Sequence, residues 1–193
     1  MAVQPVERKL AAIFAADIAG YSRLMSHDEV GTLARLKASR VIIDGLIATH
    51  RGRIFNTAGD SVIADFGSAV DAVACAVAVQ NAIATEEPGG AAGEPMRFRI
   101  GVHVGDVMVG ANPLGDGVNI AARLEGLAEP GAICVSAVVR DQVGNKLPVA
   151  FTERLLCRFR QCRSVQLSSA TVPLPTPFRH LKMHPISAVG RLR

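Results

Sequence analysis

The spacing of apolar residues along this chain predicts an alternation of strands and helices. Residues 9–16 are almost continuously apolar, which is typical of a buried strand, and the run stops at Asp17. From residue 28 to 49, apolar residues are interspersed with polar ones in a pattern that fits an amphipathic helix. Two short apolar segments, 51–55 and 61–66, flank the polar link NTAGD and predict a hairpin.

The remainder of the first 153 residues continues this alternation. An Ala- and Val-rich stretch predicts a second long helix, and a loop with Pro and Gly follows it. The predicted elements are a helix at 68–85, a loop at 86–94, strands at 96–104 and 107–109, a helix at 117–127, a strand at 132–136 and a short helix at 137–143.

The order β-α-β-β-α-β predicts an α+β fold of the ferredoxin-like (split βαβ) type, with the helices on one face of the sheet. In this arrangement the end of the first strand and the turn between the second and third strands lie together at one edge. Asp17 and Asp60 occupy these two places. Their carboxylates are therefore expected to meet.

Composition narrows the class of protein. With 193 residues, 49% of them apolar and 20% charged, the chain predicts one globular domain and excludes a disordered protein. The most apolar early stretch is interrupted by Asp17 and has neither the length of a membrane span nor the layout of a signal peptide. The four cysteines form no CxxC pair, so reduced thiols are expected. These features predict a cytoplasmic protein that does not bind a membrane.

Charge divides the chain at residue 153. Residues 1–153 carry a net charge of −4, whereas residues 154–193 contain eight basic residues and no acidic residue. The 154–193 segment has several prolines and no helical or alternating period, so we interpret it as an atypical basic tail. A disordered arm and an out-of-frame translation are the favoured interpretations, and an ordered extension is the third. Because Phe159 and Phe178 are its sole stacking groups, no nucleic-acid partner is expected.

The candidate chemistry lies in three segments of the first 125 residues. IFAADIAGYS and RIFNTAGDSVIADF carry Asp17 and Asp60, carboxylates of the kind that hold hard divalent cations. GDGVNIAARLE reads as a helix with Asn119 and Arg123 four residues apart, and therefore on one helical face. Taken alone, each aspartate fits an ordinary interpretation, because Asp17 suits a helix cap and Asp60 a turn.

In this order, the three motifs resemble the catalytic domain of the class III nucleotidyl cyclases, the adenylate and guanylate cyclases. The resemblance covers roughly residues 9–153 and implies a catalytic domain at 1–153. It implies conversion of ATP to 3′,5′-cyclic AMP and pyrophosphate with two Mg²⁺ or Mn²⁺ ions per site. Asp17, Asp60 and the carbonyl of Ile18 are then the metal ligands, Asn119 orients the ribose, and Arg123 stabilises phosphate charge in the transition state.

The resemblance to the cyclase family also implies where the substrate binds. The short link formed by Gly20, Tyr21 and Ser22 lets backbone N–H groups approach phosphate oxygens at the start of a helix. Asn56 and Asn112 stand where adenylate cyclases usually carry a lysine and an aspartate that select the base. Asparagine both donates and accepts hydrogen bonds and is thus compatible with adenine. The Glu and Cys typical of guanylate cyclases are absent, so ATP is the preferred substrate.

In this family the metal aspartates and the Asn/Arg pair come from opposite subunits, so the resemblance implies a homodimer. Two alternatives stay open. One is a catalytically impaired, nucleotide-binding regulatory domain, because the base-selecting positions are substituted and nothing in the tail matches the family's triphosphate-binding lysine. The other is a guanylate cyclase. His103, alone in a predicted strand, is interpreted as a packed residue.

Overall fold

The structure, a computed structural model, describes residues 8–86, 94–108, 115–152 and 162–166. Its strands and helices follow most of the predicted elements to within a few residues. In chain order they are β1 (Arg8–Ile18), α1 (Tyr21–His27), α2 (Glu29–Thr49), β2 (Arg53–Ala58), β3 (Ser61–Phe66), α3 (Ala69–Glu86), β4 (Phe98–Met108), α4 (Asp116–Leu127), β5 (Ile133–Ser136), α5 (Ala137–Val143), β6 (Ala150–Thr152) and β7 (Cys162–Gln166).

The strands form one seven-stranded sheet in the order β2-β3-β1-β4-β5-β7-β6. The first four strands have the order of a ferredoxin-like unit, so the predicted α+β, split βαβ class is confirmed. All neighbouring strands are antiparallel except β4 and β5. At the register of β1 and β4, Asp17 lies opposite Arg99.

Both faces of strand β1 are buried, which explains its continuous apolar run. Ala12, Phe14 and Ala16 point into the main core, which contains the buried residues of α2, α3 and α5. Ala11, Ile13 and Ala15 point to the other face, where they pack with residues of α4. The prediction that the helices lie on one face holds for the split βαβ unit and is wrong for α4. Sequence periodicity identifies an apolar helix face but not the sheet face that it covers.

Helix α4 approaches strand β4 closely because glycines line the contact. A Cβ added at Gly101 would lie 2.2 Å from the Ala121 carbonyl oxygen and 2.3 Å from the Glu125 backbone nitrogen. One added at Gly117 would lie 2.6 Å from Cδ1 of Ile13. Since the obstacles at Gly101 are backbone atoms, a side chain there has to push the helix away from the sheet.

Replacing Gly101 with alanine is therefore expected to lower the free energy of unfolding by about 3 kcal/mol, the upper range for overpacking a core. Urea denaturation of the purified protein measures this loss. Gly126→Ala, in helix α4 on which Gly101 packs, is the matched control because nothing lies within 4 Å of its added Cβ. That control is expected to stabilise the protein by roughly 0.5 kcal/mol, as glycine is unfavourable within a helix. Equal effects of the two substitutions would contradict the close packing.

Two further predictions differ from the structure. The strands predicted at 96–104 and 107–109 are one continuous strand, Phe98–Met108. Strand β7 lies inside the predicted tail and pairs with β5 and β6, so the absence of periodicity did not exclude a strand there. Backbone pairing explains this difference, because ladder hydrogen bonds need no apolar alternation. The remaining residues of 154–193 lie outside the described residues.

One described helix, α3, is long and apolar enough to cross a membrane by length and composition. Half of the relevant window is buried within the fold, and α3 supplies much of the main core, including Val73, Cys75 and Val79. Its hydrophobicity is thus accounted for by packing against the sheet. Burial raises the pKa of the Cys75 thiol to about 12, which makes this cysteine an inert core residue.

Candidate active site

The two predicted carboxylates meet at the edge of the sheet. Asp17 lies near the end of β1, and Asp60 lies in the turn between β2 and β3. Asp60 Oδ2 accepts a hydrogen bond from the backbone N–H of Ile18 at 3.1 Å. The Ser61 hydroxyl donates to Asp17 Oδ1 over 3.4 Å. The two carboxyl groups are themselves within hydrogen-bonding reach of each other.

This proximity changes the acidity of Asp60. Burial, followed by the hydrogen bond and charge of Asp17, raises the pKa of Asp60 to about 6, although the N–H of Ile18 favours the ionised form. Two neighbouring carboxylates repel each other unless a proton or a cation lies between them. The pair is therefore poised to take up a positive ion.

The raised pKa predicts a pH dependence of stability in the metal-free protein. Because the folded state holds the Asp60 proton more tightly than the unfolded chain, this group's contribution to stability is present below about pH 4 and is lost as pH rises through 6. Asp60→Asn removes the titration. The melting temperature of that variant, measured with a chelator present, is expected to rise relative to the wild type between pH 4 and 7. An offset that stays constant over this range would contradict the shift.

Arg99 and Glu125 extend the carboxylate pair into a charged network. Arg99 Nη2 donates a hydrogen bond to Asp17 Oδ2 at 3.0 Å. On its other side, Arg99 Nε lies 3.0 Å from Glu125 Oε1, in an ion pair without hydrogen-bond alignment. Burial raises the pKa of Glu125 to about 7; Arg99 opposes this shift, and the charges of Asp17 and Asp60 add to it. One guanidinium thus links the Asp17 carboxylate of β1 to the Glu125 carboxylate of helix α4.

Neither Arg99 nor Glu125 was predicted from the sequence as a site residue. Arg99 alternates with apolar residues in a strand, and its proximity to Asp17 depends on the pairing of β1 with β4. Glu125 closes the GDGVNIAARLE motif, six residues after Asn119. Six residues correspond to about 240° of helical rotation, so Glu125 leaves the face of Asn119 and turns towards the sheet. The motif contained this information, but the sheet order was needed to use it.

A cleft of about 510 Å³ opens next to Arg99, the ion-pair partner of Asp17. Its lining includes Gly20 and three arginines, Arg23, Arg97 and Arg99. Arg23 forms an ion pair with Glu94, which also lines the cleft. The cleft therefore concentrates guanidinium groups, and Arg99 connects it to the Asp17 carboxylate. This arrangement suits an anion that carries a metal.

The predicted substrate-binding residues are distributed unequally around this cleft. Gly20 lines it and adopts the left-handed conformation, with φ of 71°, at the start of α1. Tyr21 packs against the main core, and Ser22 is exposed. Asn56 is exposed on β2, beside an irregularity in the pairing with β3. Asn112 lies outside the described residues.

Asn119 and Arg123 are exposed on α4. The opposite side of the helix, with Val118, Ala121 and Leu124, is buried. Within the described ranges, no hydrogen bond or ion pair joins Asn119 or Arg123 to Asp17 or Asp60. In the single chain the structure thus brings the two aspartates together and leaves the Asn/Arg pair facing outwards.

His103 lies on the α4 side of β4, opposite Ile13. Burial lowers its pKa, so the imidazole is neutral at pH 7, and its Nδ1 has no hydrogen-bond partner. In the parts of the chain that the structure describes, no hydrogen bond or ion pair joins it to the carboxylate network. Its position agrees with the interpretation as a packed residue.

The donor set fits a hard divalent cation. The described ranges contain no cluster of three or more His, Cys, Asp and Glu side chains able to hold a metal ion. Mg²⁺ usually retains several waters and binds one or two protein carboxylates together with substrate phosphates. Asp17 and Asp60 supply those carboxylates, and their mutual repulsion favours a cation between them. The site therefore fits a metal delivered with a phosphorylated substrate.

Comparison with known proteins identifies the class. The chain matches the family model of the adenylate and guanylate cyclase catalytic domain over residues 3–158. It therefore belongs to this family, and the resemblance seen in the sequence is confirmed. The described carboxylate pair and the exposed Asn/Arg helix both lie within the matched region.

The chain is also similar to individual proteins of this family. The chain is 43% identical over 155 residues to "Putative adenylate cyclase 3" of Rhizobium meliloti, covering 79% of this chain and 26% of that protein. It is similar to an adenylate/guanylate cyclase/hydrolase from Silicibacter pomeroyi, with 40% identity, a TM-score of 0.74, and coverage of 84% of this chain and 98% of that one. The adenylyl cyclase CyaB from P. aeruginosa shares the fold, with a TM-score of 0.74 at 21% identity over 86% and 98% of the two chains.

The chain spans about a quarter of the length of the curated relatives that it matches first. The comparisons thus concern the catalytic domain. Class III cyclases generally use divalent metal ions and bind a nucleoside triphosphate.

Proposed function

We propose that this domain is an adenylate cyclase, a phosphorus–oxygen lyase that converts ATP to 3′,5′-cyclic AMP and pyrophosphate. In this reaction the ribose 3′-oxygen attacks the α-phosphorus, loses its proton and displaces pyrophosphate. The observation that carries the proposal is the meeting of Asp17 and Asp60, with Arg99 connecting Asp17 to an arginine-lined cleft. Similarity to a protein named as an adenylate cyclase supports the choice of reaction.

Asp17 and Asp60, with the carbonyl of Ile18, would hold two Mg²⁺ or Mn²⁺ ions. Bound ions of this kind lower the pKa of an attacking hydroxyl and neutralise the charge of the leaving phosphates. The Ile18 N–H that bonds to Asp60 fixes the orientation of this carboxylate. The chain thus presents one anionic ligand near the end of buried strand β1 and a second in the turn between β2 and β3.

The cleft offers a place for the triphosphate. Arg99 bridges the carboxylates and the cleft, so its guanidinium can turn from Asp17 to a phosphate oxygen. Gly20 brings the backbone at the start of α1 to the same cleft. Such preformed positive groups stabilise the charge that develops on phosphate during the reaction.

We infer that the active unit is a homodimer. Asn119 and Arg123 face solvent in the single chain, and the other side of α4 is packed against the sheet. A second copy is required to bring this pair over the carboxylates, with Asn119 on the ribose and Arg123 on the phosphate.

The cytoplasm, where ATP and Mg²⁺ are abundant, is the expected location of the protein.

The preference for ATP rests on Asn56 and Asn112 as groups that recognise the base through both donors and acceptors. A guanylate cyclase is the alternative within the family. The alternative outside catalysis is a nucleotide-binding regulatory domain, which the substituted base-selecting positions favour.

The test is to incubate the purified protein with ATP or GTP and Mg²⁺ or Mn²⁺ and to separate the products by chromatography. Cyclic AMP from ATP is the expected result, with Asp17→Ala as the control. Cyclic GMP formed faster than cyclic AMP would reverse the substrate assignment. Nucleotide binding without a cyclic product would overturn the enzymatic proposal and support the regulatory alternative.

A further inference from the structure

A chain of ion pairs connects helix α4 with the candidate metal carboxylates. Glu125 Oε1 lies 3.0 Å from Arg99 Nε, and Arg99 Nη2 lies 3.0 Å from Asp17 Oδ2. The Glu125 side chain is 12% exposed, whereas those of Arg99 and Asp17 are 27% and 24% exposed. The two carboxylates therefore share one guanidinium, and Glu125 is the more buried partner.

The backbone fixes the position of Glu125. Because Gly101 lacks a side chain, the backbone of Glu125 packs directly on strand β4 at this position. Gly101 is two residues after Arg99 in the same strand. The separation between Arg99 and Glu125 is thus determined by the packing of α4 on the sheet. A surface ion pair between two flexible side chains has no such constraint.

The pairing of Arg99 with two carboxylates affects how tightly it binds Asp17. A guanidinium paired with Asp17 alone would neutralise that carboxylate, and an incoming cation would have to displace it. A second carboxylate on the opposite side of Arg99 weakens its hold on Asp17, since the same positive charge then has an alternative partner. The ion pair with Glu125 also keeps Arg99 beside the cleft once it has left Asp17.

We propose that Glu125 is a positioning residue that draws Arg99 away from Asp17 and so keeps the Asp17 carboxylate available to a divalent cation. This inference rests on the proposed function, because it takes Asp17 to be a metal ligand. It assigns to α4 a second role besides presenting Asn119 and Arg123. The helix would also adjust the metal site of its own chain.

The test measures Mn²⁺ binding by electron paramagnetic resonance, without nucleotide, at pH 8, where Glu125 is ionised. Glu125→Gln preserves the side-chain shape and is expected to weaken Mn²⁺ binding by about five- to tenfold, the scale of one coupled ion pair. Arg99→Gln is expected to strengthen binding, because the competing cation is gone. In the Arg99→Gln background, adding Glu125→Gln is expected to have little further effect.

The double variant separates sharing from simple attraction. If Glu125 acted only as one more negative charge near the metal, its removal would weaken binding equally with and without Arg99, and the proposal would be overturned. Arg99→Gln tests the competition between Arg99 and the cation for Asp17 without altering α4. It therefore remains informative if Glu125→Gln disturbs the helix. Weaker Mn²⁺ binding by Arg99→Gln would also count against the proposal.

Two controls make the outcomes distinguishable. Asp71→Asn removes a carboxylate that pairs with Arg51 at 2.8 Å on the protein surface, and it is expected to leave Mn²⁺ binding unchanged. Asp17→Ala shows whether Mn²⁺ binds at the proposed site. Wild-type affinity no higher than that of Asp17→Ala would overturn the metal assignment and this inference together. Binding that depends on Asp17 but is unaffected by Glu125→Gln would overturn this inference alone.

Discussion

Replacing Asp17 with alanine is expected to reduce cyclic nucleotide formation by on the order of 1000-fold. The substitution removes one of two carboxylates that would hold the metal ions, and metal stabilisation of the transition state is worth several kcal/mol, at about 1.4 kcal/mol per tenfold in rate. It also leaves Arg99 without its hydrogen-bond acceptor at 3.0 Å. The measurement is the initial rate of product formation at saturating ATP and Mn²⁺.

The loss is expected to be catalytic and not a failure to fold. The Asp17 side chain is 24% exposed at the end of its strand, outside the apolar core. Asp71→Asn is the matched control, since it also removes a carboxylate from an Arg–Asp ion pair but lies on α3. Its rate is expected to equal that of the wild type. Activity of Asp17→Ala within tenfold of wild type, with unchanged thermal stability, would disprove the assignment of Asp17.

The meeting of Asp17 and Asp60 could be predicted from sequence because it follows from strand order. Each aspartate stands where an apolar run stops, and the split βαβ connection brings those ends to one edge. Periods of two and 3.6 residues are strong enough here to locate most elements. The placement of the aspartates thus needed no knowledge of side-chain packing.

Arg99 and Glu125 could not be predicted in the same way. Their contact depends on α4 lying on the sheet face opposite α2 and α3, at a close approach that Gly101 and Gly117 permit. A glycine in a strand indicates a close approach but not the partner that approaches. Three-dimensional packing, and not periodicity, therefore created the link between the helix and the carboxylates.

Strand β7 illustrates a different limit. Its five residues lie in a segment whose composition favoured disorder, yet they pair with β5 on one side and β6 on the other. A strand held between two neighbours gains its hydrogen bonds from their backbones, so its own side-chain pattern is a weak guide. The roles of Asn119 and Arg123 are likewise not evident from their own chain, because both side chains are exposed to solvent there.

Replacing Arg123 with alanine is expected to reduce cyclic AMP formation by roughly 100-fold or more, the usual effect of losing one preformed donor to transition-state charge. Since Arg123 is exposed and the buried side of α4 is untouched, the variant should fold normally. Activity near the wild-type level would show that Arg123 has no role in the reaction.

Mixing the Arg123→Ala and Asp17→Ala proteins tests whether the site is composite. If the aspartates of one chain work with Arg123 of the other, a mixed dimer contains one site with both residues intact and one with neither. Random exchange of subunits makes half of the dimers mixed, so about a quarter of the wild-type activity is expected to return. If each site were built from a single chain, every site in the mixture would lack one residue and no activity would return. Arg123 is exposed, and the other side of α4 is buried against the sheet of its own chain. This position favours the return of activity in the mixture.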